Sequence, residues 1–169
     1  MTTPSNARAM MAAPRSLAAW VLVGYAGLHL FFAFFDWVLP GNGTLSTRSA
    51  GASFDTLVEM AMPVVAVLLA TQVQPMLSSA KMIATIALVE YAVIVVLGLL
   101  TLLIGVGAVA DSRVSSANQS FDVLAYFVLG LGRLVLAAVA GLVSYQAFTR
   151  LGGSINIGGT RPTSTPPAA

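Results

Sequence analysis

Apolar residues fall along this chain in four long blocks, at about Leu17–Leu39, Asp55–Val73, Met82–Val109 and Asp122–Thr149. Stretches such as Val93–Ile104 are continuous apolar runs and do not alternate with polar residues. A membrane β-strand shows about ten residues of alternating pattern, so the blocks predict helices. Each block is close to or above the roughly 20 residues that a helix needs to cross a bilayer. The expected fold is all-α, a bundle of four transmembrane helices over residues 17–150. Short tails are expected to lie outside it at residues 1–16 and 151–169. The first tail is small and polar; the second, with the run Gly-Gly-Ser-Ile-Asn-Ile-Gly-Gly, is rich in Gly, Pro, Ser and Thr. Neither can bury enough apolar area to order itself, so both are expected to be disordered. The connection at Gln74–Ala80 is short. It makes the second and third blocks antiparallel neighbours.

Composition sharpens this picture. Hydrophobic residues make up 57% of the 169 and charged residues only 8%, against roughly 25% charged in a soluble domain. The bilayer is thus the first expected partner. The N-terminal block exceeds the 7–15 apolar residues of a signal peptide, so it is read as a retained helix. Net charge is +2, too small a surplus for nucleic-acid binding. Seven of the eight basic residues are Arg, which with abundant Ala, Val, Leu and Gly suggests a bacterial plasma-membrane protein. With both ends inside, Arg8, Arg15, Lys81, Arg150 and Arg161 are cytoplasmic, and Arg48 and Arg113 lie outside. The positive-inside rule therefore favours N-in and C-in. Trp20, Tyr145 and Phe148 would then stand at the inner interface, and Trp37, Phe54 and Phe121 at the outer one.

The chain also suggests a tandem repeat of two helical hairpins. Leu22-Val23-Gly24-Tyr25-Ala26 is echoed by Leu88-Val89-Glu90-Tyr91-Ala92, and Ser53-Phe54-Asp55 by Ser120-Phe121-Asp122. The second echo reads as a helix start, with Ser or Asp capping free N–H groups and the acid favoured by the helix dipole.

Charges inside the spans are the sharpest candidates for function, because each costs about 2.5–3.5 kcal/mol or more at a helix centre. Arg133 is expected near mid-membrane, with Glu59, Glu90 or His29 as its partner. These four residues form the candidate intramembrane polar network. Small residues recur every seven positions, as Ala84, Tyr91, Gly98 and Gly105 in the third block and Gly130, Ala137 and Ser144 in the fourth. Such stripes let helices approach closely. They are read as bundle packing first, and as a route to self-association second. Pro63 is expected to kink the second helix.

Other chemistry lacks its residues. Cysteine is absent and His29 is the one histidine. That leaves no expected metal site and no bis-histidine haem. No phosphate-binding Gly-rich loop opens a helix, and no nucleophile stands beside a base, so no cofactor and no catalytic residue are expected. The sequence therefore points to a non-enzymatic accessory or assembly subunit of a membrane complex. The alternative is a small transporter or ion-coupled carrier using Glu90 and Arg133.

Overall fold

The computed structural model describes residues 4–39, 41, 43–52, 54–73, 76–112 and 119–153. Among them the chain forms five helices: α1 (Pro4–Val38), α2 (Leu45–Gly51), α3 (Leu57–Thr71), α4 (Ala80–Ser112) and α5 (Gln119–Arg150). Long unbranched apolar runs give α1, α4 and α5 their length. Each contains a stretch long and apolar enough to cross a membrane, at Ala13–Val38, Ala80–Asp111 and Ser120–Arg150. α3 is equally apolar but has 15 residues, about 22 Å at 1.5 Å per residue. The architecture is that of a membrane protein built from helices.

The four expected helices are present with altered limits. α1 begins at Pro4, well ahead of Leu17, and runs through Pro14. The second tail, from residue 154 onward, lies outside the described residues. The expected loop at Pro40–Ser53 contains a helix of its own. Thr44 caps α2, its hydroxyl accepting from Thr47 N at 3.3 Å.

α2 is held against the end of α1. Arg48 donates to the Trp37 carbonyl at 2.8 Å and also to that of Leu39. These are carbonyls that a helix C-terminus leaves without partners. Trp37 Nε1 donates to the buried Ser49 hydroxyl at 2.8 Å. Phe54 then packs edge-on against Trp37, with ring centroids 6.1 Å apart. Phe54 is therefore a core residue, 1% exposed, and not the interfacial residue the sequence suggested.

The long helices pair as α4 with α5 and α1 with α3, and α3 also touches α4. The small-residue stripes meet inside the chain. Ala84, Tyr91, Ala137 and Ser144 are buried. Gly98 faces the side chain of Leu134, and Gly130 faces that of Leu102. Gly105 is the tightest point: a Cβ there would stand 3.0 Å from the backbone of Ala50, so this glycine is what lets α2 lie against α4. One face of each stripe is thus spent on intramolecular packing.

Tyr91 joins α4 to α3 beside Pro63, which lies within α3. Its hydroxyl donates to the Met60 carbonyl and accepts from Val64 N at 3.2 Å. Met60 and Val64 are one helical turn apart, so the hydroxyl sits within the hydrogen-bond ladder of α3. Side chains that enter the ladder and prolines are the usual causes of a kink.

The two halves of the suggested repeat occupy unlike surroundings. Tyr91 is buried, whereas Tyr25 is 53% exposed. Asp55 precedes α3, whose N-cap is Thr56, while Asp122 lies in the first turn of α5. Phe121 is exposed where Phe54 is enclosed. Ser53 is outside the described residues.

Candidate functional site

Heights along the bundle are best measured from its basic end. There Arg15 donates to the Val73 carbonyl at 2.9 Å, and Lys81 to the Gly152 carbonyl at 3.2 Å, its ammonium 6.0 Å from the Phe148 ring. Both sidedness markers, the basic residues and the aromatic Phe148, thus meet at one level. α5 stops here, with Gly152 at φ +73° and Gly153 N bonded back to the Phe148 carbonyl at 3.0 Å. A left-handed glycine just past the last turn is the usual way of satisfying orphan carbonyls.

The helical rise places each charged side chain above this level. His29 is 14 residues beyond Arg15 and Glu59 is 14 before Val73, so both stand about 21 Å up. They meet: His29 Nδ1 lies 2.9 Å from Glu59 Oε1, within ion-pair range but off the line of a directed hydrogen bond. Arg133 is 17 residues before Arg150, about 25 Å up. Glu90 is 9 residues beyond Lys81, about 14 Å up. Glu90 is therefore the lowest of these charges and Arg133 the highest, close to the midpoint of α5 between Gln119 and Arg150. On this scale α4 and α5 run about two turns beyond the end of α1.

Arg133 meets none of its three expected partners. Its Nη1 is 3.9 Å from Asp55 Oδ1. Asp55 reaches this depth because the chain runs from α2 down into the bundle before α3 begins. The pair borders a cavity of about 140 Å³ that also admits Ser49, Thr101 and Tyr126. Sequence reasoning missed Asp55 as a site residue, because its place in Ser-Phe-Asp read as a helix cap. Thr56 supplies the cap, accepting from Glu59 N at 3.4 Å.

Glu90 is separate from both pairs. It is 6% exposed, and its Oε2 is buried without a hydrogen-bond partner among the described residues. Its other oxygen lies against α1 at Gly27, where a Cβ would stand only 2.9 Å away. That close approach opens a slot between α1 and α4. Cavities of about 590 and 450 Å³ run along it, sharing Gly27, Phe31 and Glu90. The remaining lining is apolar, including Phe34, Val93 and Val96.

The four candidates thus divide into a His29–Glu59 pair, an Asp55–Arg133 pair and a solitary Glu90. Between Glu90 and Arg133 the interior is filled by Ile94, Ala137 and Leu134, all buried. No group of three or more His, Cys, Asp or Glu residues that could hold a metal occurs among the described residues. Compared with protein-family models, curated proteins and solved structures, the chain matches none of them.

Proposed function

We propose that this chain is a non-enzymatic, four-crossing protein of a bacterial plasma membrane that serves as an accessory or assembly subunit of a membrane complex. The basic end is cytoplasmic, which makes the topology N-in and C-in. α3 makes the fourth crossing. Its 15 residues are extended on the outer side by the segment from Phe54 to Thr56, so about 25 Å of chain separates Asp55 from Val73.

The observation that carries the subunit reading is the state of Arg133. Its side chain is 55% exposed although it stands within the apolar length of α5, and its one ion-pair contact among the described residues is 3.9 Å long. α5 is also the least covered of the three long helices, with 11% of its most apolar stretch buried against 22% and 28% for α1 and α4. A guanidinium has five donors, and lipid tails satisfy none of them. A neighbouring transmembrane segment that offers a carboxylate or hydroxyl near the outer interface completes the site.

Site-directed photocrosslinking tests this reading. A photoreactive residue at Leu129 or Leu136, exposed positions one turn from Arg133 on its own face of α5, is expected to yield one discrete protein adduct in membranes. Arg133→Leu is expected to diminish that adduct. A residue at Val21 on α1 serves as the lipid-facing comparison. If α5 positions give lipid adducts only, as Val21 does, the subunit reading fails.

A second reading has its own support. Glu90 lies about halfway through a hydrocarbon core of roughly 30 Å, and its slot opens sideways. A small carrier would use that carboxylate to take a cation from the bilayer. Liposome flux of wild type against Glu90→Gln tests it. Equal rates, no higher than those of empty liposomes, would exclude a carrier.

A further inference from the structure

We infer that the α1–α4 slot is a binding site for a hydrophobic organic cation, with Glu90 as the counter-charge. This inference rests on Glu90 and its slot, and it stands apart from the subunit reading, which rests on Arg133.

Three features agree. The first is electrostatic. A carboxyl group far from water, more than nine-tenths buried and without a partner at Oε2, has its charge uncompensated by the protein. Buried charges are ordinarily paired, and among the described residues Glu90 meets no basic side chain. The nearest Lys or Arg by height is Arg133, about 11 Å above it, which is paired with Asp55 and separated from Glu90 by the buried Ile94, Ala137 and Leu134. The second is shape. The larger cavity, about 590 Å³, is within the range of pockets that hold small organic molecules. Gly27 sets its depth, because any side chain there would displace the Glu90 carboxyl. The third is the chemistry of the walls. Apart from Glu90 the larger cavity is lined by apolar side chains, with Phe31 and Phe34 on the α1 side. Aromatic faces attract cations. A ligand that matches this slot carries one positive charge on an apolar body. A polar or multiply charged ligand would leave its other polar groups unsatisfied against Val93, Val96 and Leu97.

The outer surface of the slot faces sideways, since Phe31 and Val96 are both more than half exposed. In the four-crossing arrangement such a ligand arrives from within the bilayer, where hydrophobic cations partition, and not from the water on either side.

Equilibrium binding of radiolabelled tetraphenylphosphonium to the full chain in phosphatidylcholine nanodiscs tests the site. Saturable binding at one ligand per chain is expected. Glu90→Gln, which keeps the shape and removes the charge, is expected to weaken it about tenfold or more. Val93→Trp, which fills the slot and leaves the carboxylate in place, is expected to abolish it. Leu142→Trp on the exposed face of α5 is expected to change nothing. Tetraphenylmethane, of similar shape and no charge, is expected not to compete. Equal binding by wild type and Glu90→Gln, or no more than empty nanodiscs, would overturn the assignment. If Glu90→Gln fails to elute as a monodisperse species, the Val93→Trp and tetraphenylmethane arms decide by themselves. Binding without liposome flux would sink the carrier reading and leave the site in place.

Discussion

Two residues show how single side chains hold this bundle together. The Tyr91 hydroxyl bridges Met60 O and Val64 N beside Pro63. Removing it in Tyr91→Phe leaves a buried acceptor and donor, which ordinarily costs about 1–3 kcal/mol. Met60 and Val64 are spaced to bond each other once the hydroxyl is gone, so the expected loss is at the low end, about 1 kcal/mol. Tyr91→Ala also empties the space beside Gly141 and is expected to cost about 3–5 kcal/mol, as for other large aromatic truncations. Thermal unfolding in detergent reads both, and equal losses would refute the bridging role. Asp55 ties the start of α3 to α5 through Arg133, its Oδ1 3.9 Å from Nη1. Asp55→Asn is expected to lower the thermal midpoint in detergent, and Asp55→Asn with Arg133→Gln to lower it no further than the larger single effect. Fully additive losses would contradict the pairing.

At the scale of elements, run length decided what could be read from the sequence. α1, α3, α4 and α5 stand out because their apolar residues continue for many turns. α2 does not, because seven mostly small and polar residues have no apolar period. Its position comes from tertiary bonds: Arg48 to the carbonyls ending α1, Ser49 to Trp37, and Ala50 against Gly105. The same blind spot hid the partner of Arg133. His29 and Glu59 were visible as polar residues at matching distances from the basic end, and they pair. Asp55 could not be placed at the level of Arg133 without knowing that the α2 segment descends into the bundle. The latch is testable. Arg48→Ala releases two α1 carbonyls at once and is expected to raise hydrogen exchange across residues 44–52 while α4 stays protected. Gly105→Leu, which drives a side chain into the Ala50 backbone, is expected to displace α2 and raise exchange in the same segment. Unchanged exchange in both variants would mean that α2 is held by something other than these contacts.

For the whole molecule, the deciding element is α3, because it alone among the four apolar helices is shorter than a hydrocarbon core. If α3 crosses, the segment before it and the segment after it face opposite compartments. If it turns back, they share one. The absence of cysteine makes the distinction direct, since a single introduced thiol is the only one in the chain. Ser46 lies in α2, ahead of α3, and Ser78 lies between α3 and α4, near the basic end. In intact cells an impermeant maleimide is expected to label Ser46→Cys and not Ser78→Cys. In inverted vesicles the pattern is expected to reverse. The proposed crossing needs the separation seen on the height scale, where Asp55, next to Arg133, stands about 25 Å above Val73. A pair of thiols that both react from outside would remove the fourth crossing. It would also move Glu90 away from the midplane and so weaken the case that its lone carboxyl marks a site entered from the bilayer. A pair that reacts from opposite sides leaves Glu90 at the centre of the membrane, at the floor of a slot in which, among the described residues, it is the only charged side chain.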